Sequence, residues 1–235
     1  MHETLSSMTP EELIGERPRL HINQRTREPE SWSLADDTFE FIGSLIGKGS
    51  TTMETGAGLS TVFLALCGTE HTAIAPDEKL FARIRDYCKK KNIDLGSTRF
   101  VAQQSEEYLP VASLPALDLF IIDGRHAFPT PGIDFYYSAR ALRLGGHMVV
   151  DDTQLLGCRI LADYLHCDPH WEVARDFKKT SVFKKVDQNV HKQGHGMQEL
   201  ERSWAALRRG ESEIILDKAE WLRLLRPRPP ATEPA

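Results

Sequence analysis

Between residues 51 and 186 the chain alternates short apolar runs with stretches whose apolar residues recur at helical spacing. No other feature limits the fold as much. The runs are TTMET (51–55), HTAIA (71–75), TRFVAQ (98–103), LDLFIID (117–123) and HMVVDD (147–152). LDLFIID is almost continuously apolar, as a central parallel strand covered on both faces must be. The helical stretches are Ser60–Leu66, a segment that Asp77 can cap with Leu80, Phe81, Ile84 and Cys88 on one face, Phe135–Leu144 closed by Gly145-Gly146, and Leu155–Leu165. An earlier helix, Asp36–Ile46, begins with acids that suit its dipole. Trp171–Asp176 and Thr180–Val186 read as two more strands, too close for a crossover helix. The pattern predicts an α/β fold: a doubly wound, mostly parallel, Rossmann-like sheet of seven strands, the last antiparallel. It divides the chain into an N-terminal arm and helix (1–50), a core (51–186), and a C-terminal helical extension with a disordered tail (187–235). Arg17, Pro18, Arg19, Arg25, Arg27 and Pro29 give the first 30 residues the look of an extended arm.

A length of 235 residues suits one such domain with appendages. Twenty-nine Lys and Arg against 34 Asp and Glu leave a net charge of −5, which argues against a general nucleic-acid binder. No uninterrupted apolar stretch approaches a membrane span, and the first residues, MHETLSSMTPEELIGERPR, lack a signal-peptide core. Cys67, Cys88, Cys158 and Cys167 form no CxxC and read as reduced thiols of a cytoplasmic protein. His166, Cys167 and His170 cluster without the spacing of a structural zinc site. No G-x-S-x-G and no Walker motif occurs, against a serine hydrolase or a P-loop NTPase.

In an open α/β sheet, ligands bind at the carboxyl ends of the strands. Glu54, Ala75, Asp77, Gln104, Asp123, Asp151 and Asp152 fall at those ends, and His71 and His147 at the opposite ones. The first strand runs into Glu54-Thr55-Gly56-Ala57-Gly58, where Gly56 and Gly58 permit a tight turn and close approach to a ligand. Ser60 or Thr61 can cap the helix that follows. A GxG turn fits a dinucleotide, a nucleoside or no ligand at all. The third glycine of a dinucleotide fingerprint would stand at position 61, which is Thr61. A carboxylate at Glu54 would repel a diphosphate and attract an ammonium group.

The acid-x-Gly-x-Gly turn resembles the first motif of the class I S-adenosylmethionine-dependent methyltransferases. The resemblance covers roughly residues 36–186, and IIDGRHAFPTPGIDFYYSARALRLGGHMVVDDT is similar to the second half of that fold. Its IDGxH and GGHMVVDD stretches resemble a subgroup that includes small-molecule O-methyltransferases. The resemblance implies S-adenosyl-L-methionine as cofactor, with Glu54, Gly56 and Gly58 around its methionine half and Ser60 and Asp123 among its other contacts. The acid that normally ends strand two and holds the ribose is replaced by Ala75, which leaves Asp77, Glu78 or the backbone for that role, Asp77 being alternatively a helix cap. Gln104 and Ser105 lie where the family contacts adenine. In the catechol O-methyltransferase-like members, acids at the positions of Asp123, Asp151 and Asp152 bind a divalent cation, here Mg2+. The plainer alternative is that Asp151 and Asp152 cap a helix and Asp123 orders a loop. His126 stands where those relatives carry a lysine base and could take an acceptor's proton beside Asp123. The implied partner is a small-molecule acceptor, with no nucleic acid and no membrane, and the arms could build an acceptor lid or a homodimer contact. Two rivals stay open: a nicotinamide-dependent oxidoreductase, and a non-catalytic binding protein on a methyltransferase fold.

Overall fold

The sheet grows from the segment that is most apolar in sequence. In the computed structural model, which describes residues 8–188, LDLFII forms β6 (Leu117–Ile122) at the middle of a seven-stranded sheet. Leu119 and Ile121 point into one apolar cluster and Phe120 and Ile122 into the other, so the strand's two-residue period feeds both faces. Beside it lie β3 (Thr51–Thr55), β4 (Glu70–Ile74), β5 (Arg99–Val101), β7 (Leu142–Val150), β8 (Trp171–Asp176) and β9 (Ser181–Lys185), in the order β5-β4-β3-β6-β7-β9-β8. β3 to β7 are parallel, and β9 runs antiparallel to both β7 and β8. The carboxyl ends of five strands therefore share one edge, and β3 and β6 meet where the strand order reverses.

One face is covered by α2 (Asp36–Leu45), α3 (Leu59–Leu66) and α4 (Glu78–Lys90), which contribute Phe39, Val62, Phe81 and Ile84 to the first cluster. The other is covered by α6 (Thr130–Ala141) and α7 (Leu156–Cys167), through Phe135, Ala139, Leu161 and Leu165. The short α5 (Ser105–Tyr108) follows β5.

Two local expectations are corrected. The first 30 residues are not simply an extended arm: they hold α1 (Pro10–Glu16) and a small antiparallel pair, β1 (His21–Ile22) and β2 (Pro29–Glu30). The signal for α1 is present as TPEE. Thr9 accepts from the Glu12 backbone at 3.2 Å, Glu12 bonds the Thr9 backbone at 2.8 Å, and Pro10 opens the helix. The helix read as Phe135–Leu144 instead spans Thr130–Ala141, and Gly145-Gly146 lies inside a strand. Leu142 pairs with Leu117 and is buried there, so the strand starts early, and Gly145, at φ +81°, takes up the irregularity before the regular ladder resumes at His147. The C-terminal extension expected from residue 187 lies, from residue 189 on, outside the described residues. Among the described residues no helix is long and apolar enough to cross a membrane.

Candidate active site

Gly56 fixes the centre of the site. Its φ is +97°, and a Cβ there would overlap the Asp123 carbonyl oxygen and stand 2.9 Å from the carbonyl carbon. Its N–H bonds the Ile74 carbonyl at 2.8 Å, while the Asp123 N–H bonds that of Thr55 at 3.0 Å. Backbone therefore packs on backbone where β3 and β6 end, and only glycine fits.

Glu54 does not reach the crevice wall. Its side chain is fully buried and accepts hydrogen bonds from Ser60 Oγ (2.5 Å) and from Thr61 Oγ1, with His71 Nε2 at 3.1 Å. Thr61 Oγ1 in turn accepts from the Gly58 N–H at 3.0 Å. The acid fastens the glycine turn to the first turn of α3, instead of meeting a ligand's ammonium group directly. Thr61, which spoils a dinucleotide fingerprint, is the hydroxyl that links the two. His71, set aside at the far end of its strand, bridges Glu54 and Thr52.

Over this turn lies a crevice of about 890 Å³. Gly56, Gly58 and Ser60 line one side, Ala75 and Asp77 the next, Gln104 and Ser105 a third, and Asp123, His126, Asp151 and Asp152 the floor. Of the residues expected from sequence, only Glu54 stands behind the wall. Asp77 does two jobs: it caps α4 through the Lys79 N–H at 2.9 Å and faces the crevice, where Arg83 Nη2 holds it at 3.2 Å. The N-terminal arm, to which the sequence assigned no cofactor contact, supplies a further wall. His21 stacks on Trp32 with centroids 4.9 Å apart, and His21 Nε2 sits so close to Gly58 that a Cβ there would stand only 2.8 Å away. Burial, then Arg83, lowers the His21 pKa, which favours the neutral ring. No local motif announces this wall, because His21 and Gly58 are brought together only by folding.

At the floor, one ligand atom each from Asp123, His126 and Asp152 lies within 4.8 Å of the others. His126 Nε2 is 3.6 Å from Asp123 Oδ1 and 3.4 Å from Asp152 Oδ2, and it is buried without a hydrogen-bond partner. Burial raises the Asp123 pKa, with the His126 imidazole pulling the other way. The His126 pKa is raised by its interaction with Asp123, against the lowering by burial. Asp152 holds φ +52°, which a non-glycine residue adopts at a cost. The loop carrying His126 rests on α7 at Gly157, where a Cβ would overlap the His126 carbonyl oxygen. Asp151 is placed apart from this cluster. Its Oδ1 accepts from Thr180 Oγ1, and its Oδ2 is 3.0 Å from Lys179 Nζ. The three aspartates thus do not present a shared donor set for Mg2+. The set that converges replaces Asp151 with an imidazole.

Behind the Thr55–Ser105 wall, Asp134 is wholly buried, and neither of its oxygens closes a hydrogen bond of good geometry. Burial pushes its carboxyl up to about 6, although the nearby Ser105 and Thr55 hydroxyls draw it back. The native state favours the protonated form more than the unfolded chain does, so stability present below pH 4 is lost as pH rises through 6. Asp134→Asn should therefore stabilise the protein above pH 7 by on the order of 2–3 kcal/mol, or roughly 4–12 °C in Tm. The gain should vanish near pH 4. Melting curves of both proteins across that range check this, and an equal difference at both ends refutes it.

Residues 53–153 match a family model described as a methyltransferase domain. No curated protein matches the chain. Among solved structures, cofactor-bound Rv0187 from MTB aligns with TM-score 0.58 and 15% identity, over 78% of this chain and 93% of that one. The O-methyltransferase TomG from Streptomyces achromogenes, solved with SAM, gives 0.56 and 14%, over 75% and 90%. A putative rRNA-methylase from Clostridium thermocellum gives 0.54 and 14%, over 67% and 99%. At these identities the structures establish a shared fold. Residues 53–153, fewer than half of the chain, match the methyltransferase-domain model, and the chain shares its fold with these solved structures.

Proposed function

We propose that the crevice binds S-adenosylmethionine and that its methyl group passes to a hydroxyl oxygen of a small-molecule acceptor lying over Asp123, His126 and Asp152. One observation carries this reading: an imidazole nitrogen 3.6 Å from one carboxylate and 3.4 Å from another at the crevice floor, beside the glycine turn. Transfer to oxygen must dispose of a proton, and this group can take it. The acceptor oxygen attacks the methyl carbon, the carbon–sulfur bond breaks, and the products are a methyl ether and S-adenosylhomocysteine. His126 Nε2 faces the carboxylates, which leaves Nδ1 to receive the proton while Asp123 and Asp152 stabilise the imidazolium that forms. The glycine turn and the His21–Trp32 wall hold the cofactor in line and keep water out. The net charge of −5 favours a small acceptor over a nucleic acid.

A second reading, favoured by the convergence at the floor, places a divalent cation on Asp123, His126 and Asp152. Two carboxylates and an imidazole suit manganese or zinc better than magnesium. Bound there, a cation would lower the acceptor hydroxyl's pKa, and His126 would no longer serve as base.

Calorimetry with S-adenosylhomocysteine tests the cofactor, and absence of binding sinks the whole reading. Incubation of S-adenosyl-[methyl-13C]methionine with a panel of phenols, catechols and aliphatic alcohols, followed by carbon NMR, tests the acceptor atom. A methyl-ether resonance is expected. A label found only on nitrogen or carbon acceptors overturns oxygen as the target.

A further inference from the structure

Two acids at the end of β7 lie in contact with a cation that the chain itself supplies. Lys179 stands in the turn between β8 and β9, lines the crevice, and places its Nζ 3.0 Å from Asp151 Oδ2 and 3.4 Å from Asp152 Oδ1. The contact is built into the fold. The Lys179 carbonyl accepts from the Thr153 N–H at 2.9 Å, which ties the hairpin turn to the segment bearing the aspartates. Thr180, the next residue, donates to the other oxygen of Asp151. The Asp151 side chain is only 2% exposed, so its charge has to be met inside the protein, and one hairpin meets both of its oxygens.

We propose that Lys179 is the resident cation of this site, supplying at Asp151 and Asp152 the positive charge for which a divalent metal would otherwise be needed, so that methyl transfer proceeds without metal. A hard divalent ion needs several oxygen ligands close around it. To use Asp151 it would have to displace the ammonium from both carboxylates and break the contact that seats the hairpin. To use Asp152 alone, with Asp123 and His126, it would sit beside a fixed positive charge. Lys179 is thus a positioning residue, working through Asp151 and Asp152.

The activity arm of the test rests on the methyl-transfer reading, while the metal-binding arm stands without it. Mn2+ is titrated into the full-length protein and followed by electron paramagnetic resonance, for the parent, Lys179→Met and Lys179→Arg. The parent and Lys179→Arg should show no saturable Mn2+ site at millimolar concentration. Lys179→Met, which keeps the length of the side chain and loses its charge, should gain a site at least tenfold tighter, and Asp151→Asn added to it should remove that site. Parent turnover should be unchanged by chelator. Lys179→Met should lose tenfold or more and recover part of the loss with Mn2+, and Lys179→Arg should retain most activity. A saturable Mn2+ site in the parent that Lys179→Met does not tighten overturns the proposal, as does abolition of parent turnover by chelator. Should Lys179→Met fail to fold, the parent titration and chelation decide on their own. Calorimetry with S-adenosylhomocysteine, run alongside, separates loss of the cofactor reading from loss of this one.

Discussion

Alanine at position 126 is expected to lower kcat by about 10²–10⁴-fold, the usual worth of a positioned general base, while S-adenosylhomocysteine affinity stays within about twofold. The split follows from the geometry. His126 lies at the floor with Asp123 and Asp152, whereas the glycine turn and the arm hold the opposite side of the crevice. The pH profile supplies a sharper check. Asp123 stabilises the charged imidazole and raises its pKa above the ordinary 6.5. Only the neutral ring can take a proton, so kcat/KM should rise with pH through a midpoint above that value. Asp123→Asn removes the charge that favours the imidazolium, and its midpoint should move down. Single-turnover rates across pH for the parent and both variants decide the matter. A flat profile in the parent, or full turnover with alanine at 126, removes His126 from proton transfer.

The second large effect is expected at Gly56. Alanine there would force a β-carbon into the Asp123 carbonyl oxygen, in a backbone conformation that disfavours any side chain. Neither neighbour can yield cheaply, because both strand ends are pinned by backbone hydrogen bonds through Ile74 and Thr55. The expected cost is about 2–4 kcal/mol, or about 5–15 °C in Tm, and at least a tenfold loss of S-adenosylhomocysteine affinity, since the Gly56–Gly58 turn is part of the crevice wall. Thermal melts and calorimetry on Gly56→Ala check both. A variant that melts and binds like the parent would mean that the turn is free to shift, and the close fit between β3 and β6 would then carry no weight.

The legible and the hidden parts of this protein differ by the sequence distance over which they are specified. A strand such as LDLFII declares itself because burial on both faces requires every residue to be apolar, a demand written in consecutive positions. The placement of Asp123, Asp151 and Asp152 at strand carboxyl ends follows from the same local reading, and all three lie at the crevice. The helix at Pro10–Glu16 was equally local in its TPEE signal and was obscured only by the basic, proline-bearing segment after it. Glu54 was harder. An acid before a glycine turn looks the same from sequence whether it faces a ligand or Ser60, Thr61 and His71, and only the α3 packing turns it inward.

The order of elements, the two-faced central strand, the glycine turn and the edge of the sheet that carries the crevice were set by the chain alone, because periodicity and backbone sterics act between near neighbours. Which carboxylates face one another, that a lysine 28 residues beyond Asp151 holds it, and that His21 and Trp32 close the crevice were decided by tertiary structure. Those pairings depend on where hairpins and arms land on the sheet. Such distances are fixed by packing of the whole core, and no local pattern encodes them.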